Sequence, residues 1–208
     1  IAGKDLVTLT NYILPEGSLL FTPENRAACA SREKLQEAMT EGRILEGTAR
    51  LCDEEHNLHV SLGPFTGLIP RLQAALGIAE GSCREIAILS RVGKPVCFTV
   101  TGLEETNGFL RPILSRRQAQ EQALEFLMEH AGPGRVIPAV VTHLEPFGAF
   151  VDVGCGVSSM ISIENISVSR IPHPAVRFSV GDSIRAVVLD RDRALGRIYL
   201  THKELLGT

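Results

Sequence analysis

From residue 134 onward, apolar and polar positions alternate in short runs broken by glycine or proline. Val136–Leu144, Gly148–Val153, Met160–Ile166, Ile184–Leu189 and Arg197–Thr201 are five such runs, rich in Val, Ile and Phe. A period of two over this length predicts short antiparallel strands, each with one face turned to a core. Five strands between Gly134 and Lys203, with one longer connection from Ser167 to Phe178, have the size and rhythm of a small Greek-key barrel.

A different period governs Arg116–His130. Ala119, Ala123, Leu124, Phe126, Leu127 and Met128 give an apolar stripe, Gln and Glu fill the other side, and Gly132-Pro133-Gly134 stops the run. This predicts a helix whose stripe packs against a neighbour. Nearer the N-terminus, Pro15-Glu16-Gly17 reads as a turn, Gly17–Phe21 as a short strand and Thr22-Pro23-Glu24-Asn25 as the cap of a brief helical turn. Arg32–Met39 has the composition of a short helix, with Leu35 and Met39 on one face and Glu41-Gly42 as its end.

An internal repeat organises the rest. Gly42-Arg43-Ile44 parallels Gly134-Arg135-Val136, Val60-Ser61-Leu62-Gly63 parallels Val151-Asp152-Val153-Gly154, and Gly67-Leu68-Ile69 parallels Ser159-Met160-Ile161. Further on, Val92-Gly93-Lys94 parallels Val180-Gly181-Asp182, and Leu114-Ser115-Arg116-Arg117 parallels Leu200-Thr201-His202-Lys203. The offset drifts from 92 to 86, as loop-length changes would produce in a degenerate first copy spanning 42–116. Within it, Ile69–Gly81 reads as a helical turn or two, and Ile86–Leu89 and Lys94–Thr101 read as strands. The expected organisation is an N-terminal extension with a short helix at 1–41, a degenerate barrel at 42–116, a linker helix at 117–133 and a second barrel at 134–208. The fold class is therefore all-β with added helices: two five-stranded Greek-key barrels joined by a helix.

Composition narrows the chemistry. The chain has 208 residues and a formal net charge of −3; residues 134–208 carry 8 Lys and Arg against 7 Asp and Glu, and residues 1–133 carry 13 against 17. Any affinity for a polyanion must come from a local patch and from stacking. Five cysteines, at 29, 52, 83, 97 and 155, make no Cys-x-x-Cys and suit scattered thiols of a reducing, cytoplasmic setting. No apolar run is long enough for a membrane span. Gly93-Lys94-Pro95 lacks the rest of a phosphate loop, and the scattered carboxylates Glu145, Asp152, Asp190 and Asp192 do not make a nuclease centre. Neither metal, cofactor nor catalysis is expected.

Phe147 and Phe150 stand three apart around Gly148, so a glycine-loosened strand entrance could bring both rings to one outer face; the alternative is that both lie in the core. Exposed rings accept stacked bases, and Arg170, Arg177, Arg185 and Arg197 offer contacts to a few phosphates. In the first copy, the corresponding positions hold His56 and His59, which bring less aromatic area. Without a third ligand nearby they do not suggest a metal site.

The fragments Gly134-x-Val136, Phe147-Gly-Ala-Phe150-Val-Asp152-Val-Gly154, Met160-Ile161, Ile166-Ser167, His173-Pro174, Val180-Gly181-Asp182 and Gly196-Arg197-Ile198-x-Leu200-Thr201-x-Lys203 occur in that order. Together they resemble the S1-type RNA-binding domain, a five-stranded oligonucleotide-binding (OB-fold) barrel found in bacterial ribosomal protein S1. With Val92–Phe98, Ser115–Gln120 and Val141–Glu145, residues 42–208 resemble S1-like proteins of the Gram-positive, clostridial type. The resemblance implies non-catalytic binding of single-stranded RNA, such as messenger RNA at the small ribosomal subunit, through Phe147, Phe150, Arg170, His173, Arg177, Arg197 and Lys203, with a weaker face at His56 and His59. A protein-docking role within a ribosome-associated or RNA-processing assembly is the alternative. The family usually carries a histidine near the end of its third strand. Here that neighbourhood is Ser162-Ile163-Glu164, so one contact is expected to be missing.

Overall fold

A computed structural model describes residues 13–203, so the first part of the expected N-terminal extension and the segment 204–208 lie outside the described residues. The chain divides into two compact units, residues 16–122 and residues 123 onward with the short segment before residue 16, and the division falls inside a helix.

In the first unit, Thr22 caps α1 (Pro23–Ala28) by accepting from the Asn25 N–H, with proline at the first turn. Ser31 caps α2 (Arg32–Glu41) through the Lys34 N–H, and Gly42, at φ 63°, ends it in the left-handed conformation. The strands are β1 (Leu45–Cys52), β2 (Leu58–Leu62), β3 (Phe65–Ile69), β4 (Pro95–Thr106) and β5 (Phe109–Ser115). They form a closed ring in the order β1-β2-β3-β5-β4, with β3 and β5 paired in parallel at Leu68 and Ile113. A 3-10 turn (Arg71–Gln73) and α3 (Ile86–Leu89) occupy the crossover from β3 to β4.

Two expectations fail in this unit. Ile86–Leu89 is one helical turn, not a strand: only Ile88 is buried, while Ile86 and Leu89 face outward. All five places in the ring are filled by other segments, so an apolar tetrapeptide there has no edge to pair with and instead drops one side chain into the core. Gly17–Phe21 is a series of turns. Its Gly17 and Leu19 amides donate to the Glu46 carboxylate at 2.6 and 3.0 Å, so a side chain satisfies the groups that a strand partner would have taken. Asn25 completes this edge, donating to the Glu46 carbonyl at 2.9 Å and accepting from the Glu46 N–H at 2.8 Å.

The helix α4 (Arg116–His130) contains the division between units, which falls between Gln122 and Ala123. In the second unit, β6 (Val136–Glu145), β7 (Gly148–Asp152), β8 (Ser158–Ser162), β9 (Ser183–Asp192) and β10 (Arg197–Thr201) form a closed barrel in the order β6-β7-β8-β10-β9. Ile137, Ala139, Val141, Ala149, Val151, Ile161, Ala186, Val188, Ile198 and Leu200 fill its interior at alternate positions. The third strand is shorter than expected, giving way after Ser162 to a 3-10 turn at Ile163–Asn165.

The expected fold class of two all-β barrels is thereby corrected. The all-β barrel is that of residues 136–201. The ring at residues 45–115 repeats its strand order, but it belongs to a mixed unit in which α1, α2 and α3 supply Ala28, Leu35, Ala38 and Ile88 to a core shared with Leu45, Leu58, Val60, Phe98 and Leu114.

Candidate nucleic-acid interface

The burial pattern of β7 separates its side chains. Ala149 and Val151 point into the barrel and Phe150, between them, sits half-covered on the outside. Phe147 precedes the strand and is 55% exposed. The two rings meet edge to face, with centroids 6.1 Å apart and an interplanar angle of 87°. Gly148 between them is sterically required: a Cβ there would lie 2.6 Å from the Ile161 carbonyl oxygen and 3.2 Å from the Ser162 Cα. The strand can therefore enter the sheet tightly against β8 while a ring stands on either side of the glycine.

Strand register extends this pair into a row. His143 on β6 lies opposite Phe150, Phe150 opposite Met160 on β8, and Met160 opposite Tyr199 on β10. A bulge between Val141 and His143 brings the histidine into line, and its ring lies 5.9 Å from Phe150 at 34°. Met160 is 37% exposed and Tyr199 43%. Adjacent strands are about 4.8 Å apart, so four positions in register make an outward-facing band about 14 Å long. A cleft of about 320 Å³ is set into it, lined by Phe150, Ser158, Ser159, Met160, Arg197, Ile198 and Tyr199. Ser159 turns inward and donates to the Ile198 carbonyl. Arg197 is exposed, and among the described residues no carboxylate lies within ion-pair distance of it.

The S1 RNA binding domain family matches residues 131–203. The "Small ribosomal subunit protein bS1" of Neisseria meningitidis is 29% identical over 208 residues, covering 97% of this chain and 35% of that protein. The bS1 protein of a Synechococcus strain is 37% identical over 141 residues, covering 67% of this chain and 44% of its own. That of Leuconostoc lactis is 29% identical, covering 98% and 47%. Residues 131–203 make an S1 domain. The chain spans about a third to a half of the length of these relatives, and the S1 domain match lies wholly within the second unit.

Of the side chains predicted for the S1 face, Phe147, Phe150 and Arg197 are brought together; the others are not in the row. Arg170, His173 and Arg177 lie on the connection between β8 and β9. Arg170 borders a separate, shallow recess with Ile163, Ser167 and Ile171. His173 accepts from the Ala175 N–H through Nδ1 at 3.0 Å and so caps a 3-10 turn at Pro174–Val176. Arg177 reaches the Ser167 hydroxyl at 3.5 Å. Lys203 follows the last strand and does not line the cleft. At Ser162, where a contact was expected to be missing, the hydroxyl is engaged with Glu164 at 2.9 Å and Asn165 at 3.2 Å. Sequence reasoning missed His143, Met160 and Tyr199. A signal for Tyr199 was present, since it stands two residues after Arg197 and between buried Ile198 and Leu200.

In the first unit, His56 and His59 are each held by an acid. The His59 Nε2 lies 3.0 Å from Asp53 Oδ2, and the Asp53 carboxyl is held down at about 2, first by the Asn57 backbone N–H and then by His59. His56 pairs with Glu85, which Arg71 also contacts at 2.5 Å; Arg71 and then His56 hold the Glu85 carboxyl below its ordinary range. The register row here reads Leu51, His59, Leu68, Ile113, so one imidazole among aliphatic side chains replaces the rings of the S1 barrel. The Asp53 carboxylate beside it disfavours a phosphate chain. Among the described residues no group of three His, Cys, Asp or Glu could hold a metal, and no helix is long and apolar enough to cross a membrane.

Proposed function

We propose that this chain binds single-stranded RNA, without catalysis, through the outer face of its second unit, and that its setting is messenger RNA at the small ribosomal subunit in the cytoplasm. The observation that carries this reading is the outward-facing band of Phe147, Phe150, Met160 and Tyr199 beside the guanidinium of Arg197, which has no carboxylate within ion-pair distance among the described residues. Rings accept any base at about 1–3 kcal/mol each, and a net charge of −3 gives no long-range attraction to a polyanion. Binding is therefore nearly sequence-neutral and weak for this chain alone.

The test is an affinity comparison at about 0.15 M salt between single-stranded RNA, duplex RNA and single-stranded DNA of equal length. Single-stranded RNA is expected to bind more tightly than duplex, because stacking needs unpaired bases. A preference for duplex, or no binding to any of the three, would overturn the assignment and favour a protein-docking role.

A further inference from the structure

We propose that Tyr199 is a third base-stacking position, which makes the band a track for successive nucleotides and not a two-ring patch; the inference rests on the RNA-binding reading above. Strand register places Tyr199 directly beside Met160, which is itself directly beside Phe150. Alternation along β10 turns Arg197 and Tyr199 outward and Ile198 and Leu200 inward. The cleft between the two rings is lined by Met160, which register places between them, and by Ser158 and Arg197. A polarisable side chain between two rings suits the flat face of a base better than a chain of phosphates.

The two ends of the band differ. Near the end of β8, Ser162 is small and hydrogen-bonded to Glu164, so the first two rings gain no further partner there. On the β10 side, outward Cβ atoms two residues apart are about 7 Å from each other. Arg197 can thus neutralise the phosphate of the nucleotide whose base rests on Tyr199. Beyond it, Asp190 stands opposite Tyr199 and Asp192 opposite Arg197 on β9. A fourth phosphate in that direction would meet carboxylates, so the track ends at Tyr199 with three stacked bases, on Phe147, Phe150 and Tyr199.

The composition supplies its own probe, since the chain has no tryptophan and two tyrosines, Tyr12 and Tyr199. In the full chain carrying Tyr12→Phe, all tyrosine emission comes from Tyr199. Titration with an oligouridylate should quench that emission with the same midpoint as the anisotropy rise of a labelled copy of the same oligonucleotide. Tyr199→Ala should weaken binding about 5- to 150-fold, the equivalent of one stacked base; Tyr199→Phe should retain most of the affinity. An anisotropy rise with unquenched emission, together with full affinity in Tyr199→Ala, would overturn the third position while leaving RNA binding intact. No anisotropy rise with any single-stranded RNA would overturn the RNA-binding reading and the track with it.

Discussion

At the scale of single residues, exposure separates binding from stability. Phe147 is more than half exposed, so Phe147→Ala should cost about 1–3 kcal/mol of RNA affinity and leave the melting temperature nearly unchanged. Were the ring part of the core, the same truncation would cost about 3–5 kcal/mol of stability, and melting and binding measured on one variant tell these apart. Arg197→Ala should weaken binding to every sequence alike and lower the slope of log affinity against log salt by about 0.7, the loss of one phosphate contact on a single strand. The aromatic pair was legible in the sequence because glycine between two phenylalanines is a local signal. Met160 and His143 were not, because their membership of the band depends on which strand lies beside which and on the bulge after Val141.

At the scale of elements, alternation located all five strands of the second barrel, and the helical period located α2 and α4. It failed at Ile86–Leu89, where four apolar residues fit either period and only the completed ring of strands decides between them. It failed again at Gly17–Phe21, whose backbone is paired with the Glu46 side chain from a distant stretch of sequence. The entry to β7 makes a sharper prediction. Gly148→Ala places a methyl group 2.6 Å from a backbone carbonyl, so β7 must retreat from β8. The expected loss is about 1–3 kcal/mol of stability, read by thermal melting, and RNA affinity falls with it because Phe150 and Met160 lose their register.

At the scale of the whole molecule, acid sensitivity has an identifiable source. Burial would raise the Glu16 carboxyl, but the Arg116 guanidinium, two hydrogen bonds from it at 2.8 Å, Arg91 and the Cys97 N–H together lower it from 4.5 to about 2. A carboxyl depressed on folding contributes stability above its unfolded value. That contribution, about 3 kcal/mol, is lost as pH falls from about 4.5 towards 2. Chemical denaturation followed across this window should show the loss, and Glu16→Gln should flatten the pH dependence while lowering stability at neutral pH. The parallel contact of Tyr199 with Met160 has a further consequence. Among the described residues it is the one registered pair between β8 and β10, joined there by the Ser159 hydroxyl on the Ile198 carbonyl, so the seam of the second barrel is thinly paired. Such a seam is where a barrel frays first, and the amides of β10 should exchange with deuterated solvent faster than those of β6 and β7. An RNA strand lying over Phe150, Met160 and Tyr199 would staple the seam from outside. Slower exchange in β8 and β10 on adding RNA, with little change elsewhere, would show nucleic acid serving as the clasp of the fold that binds it.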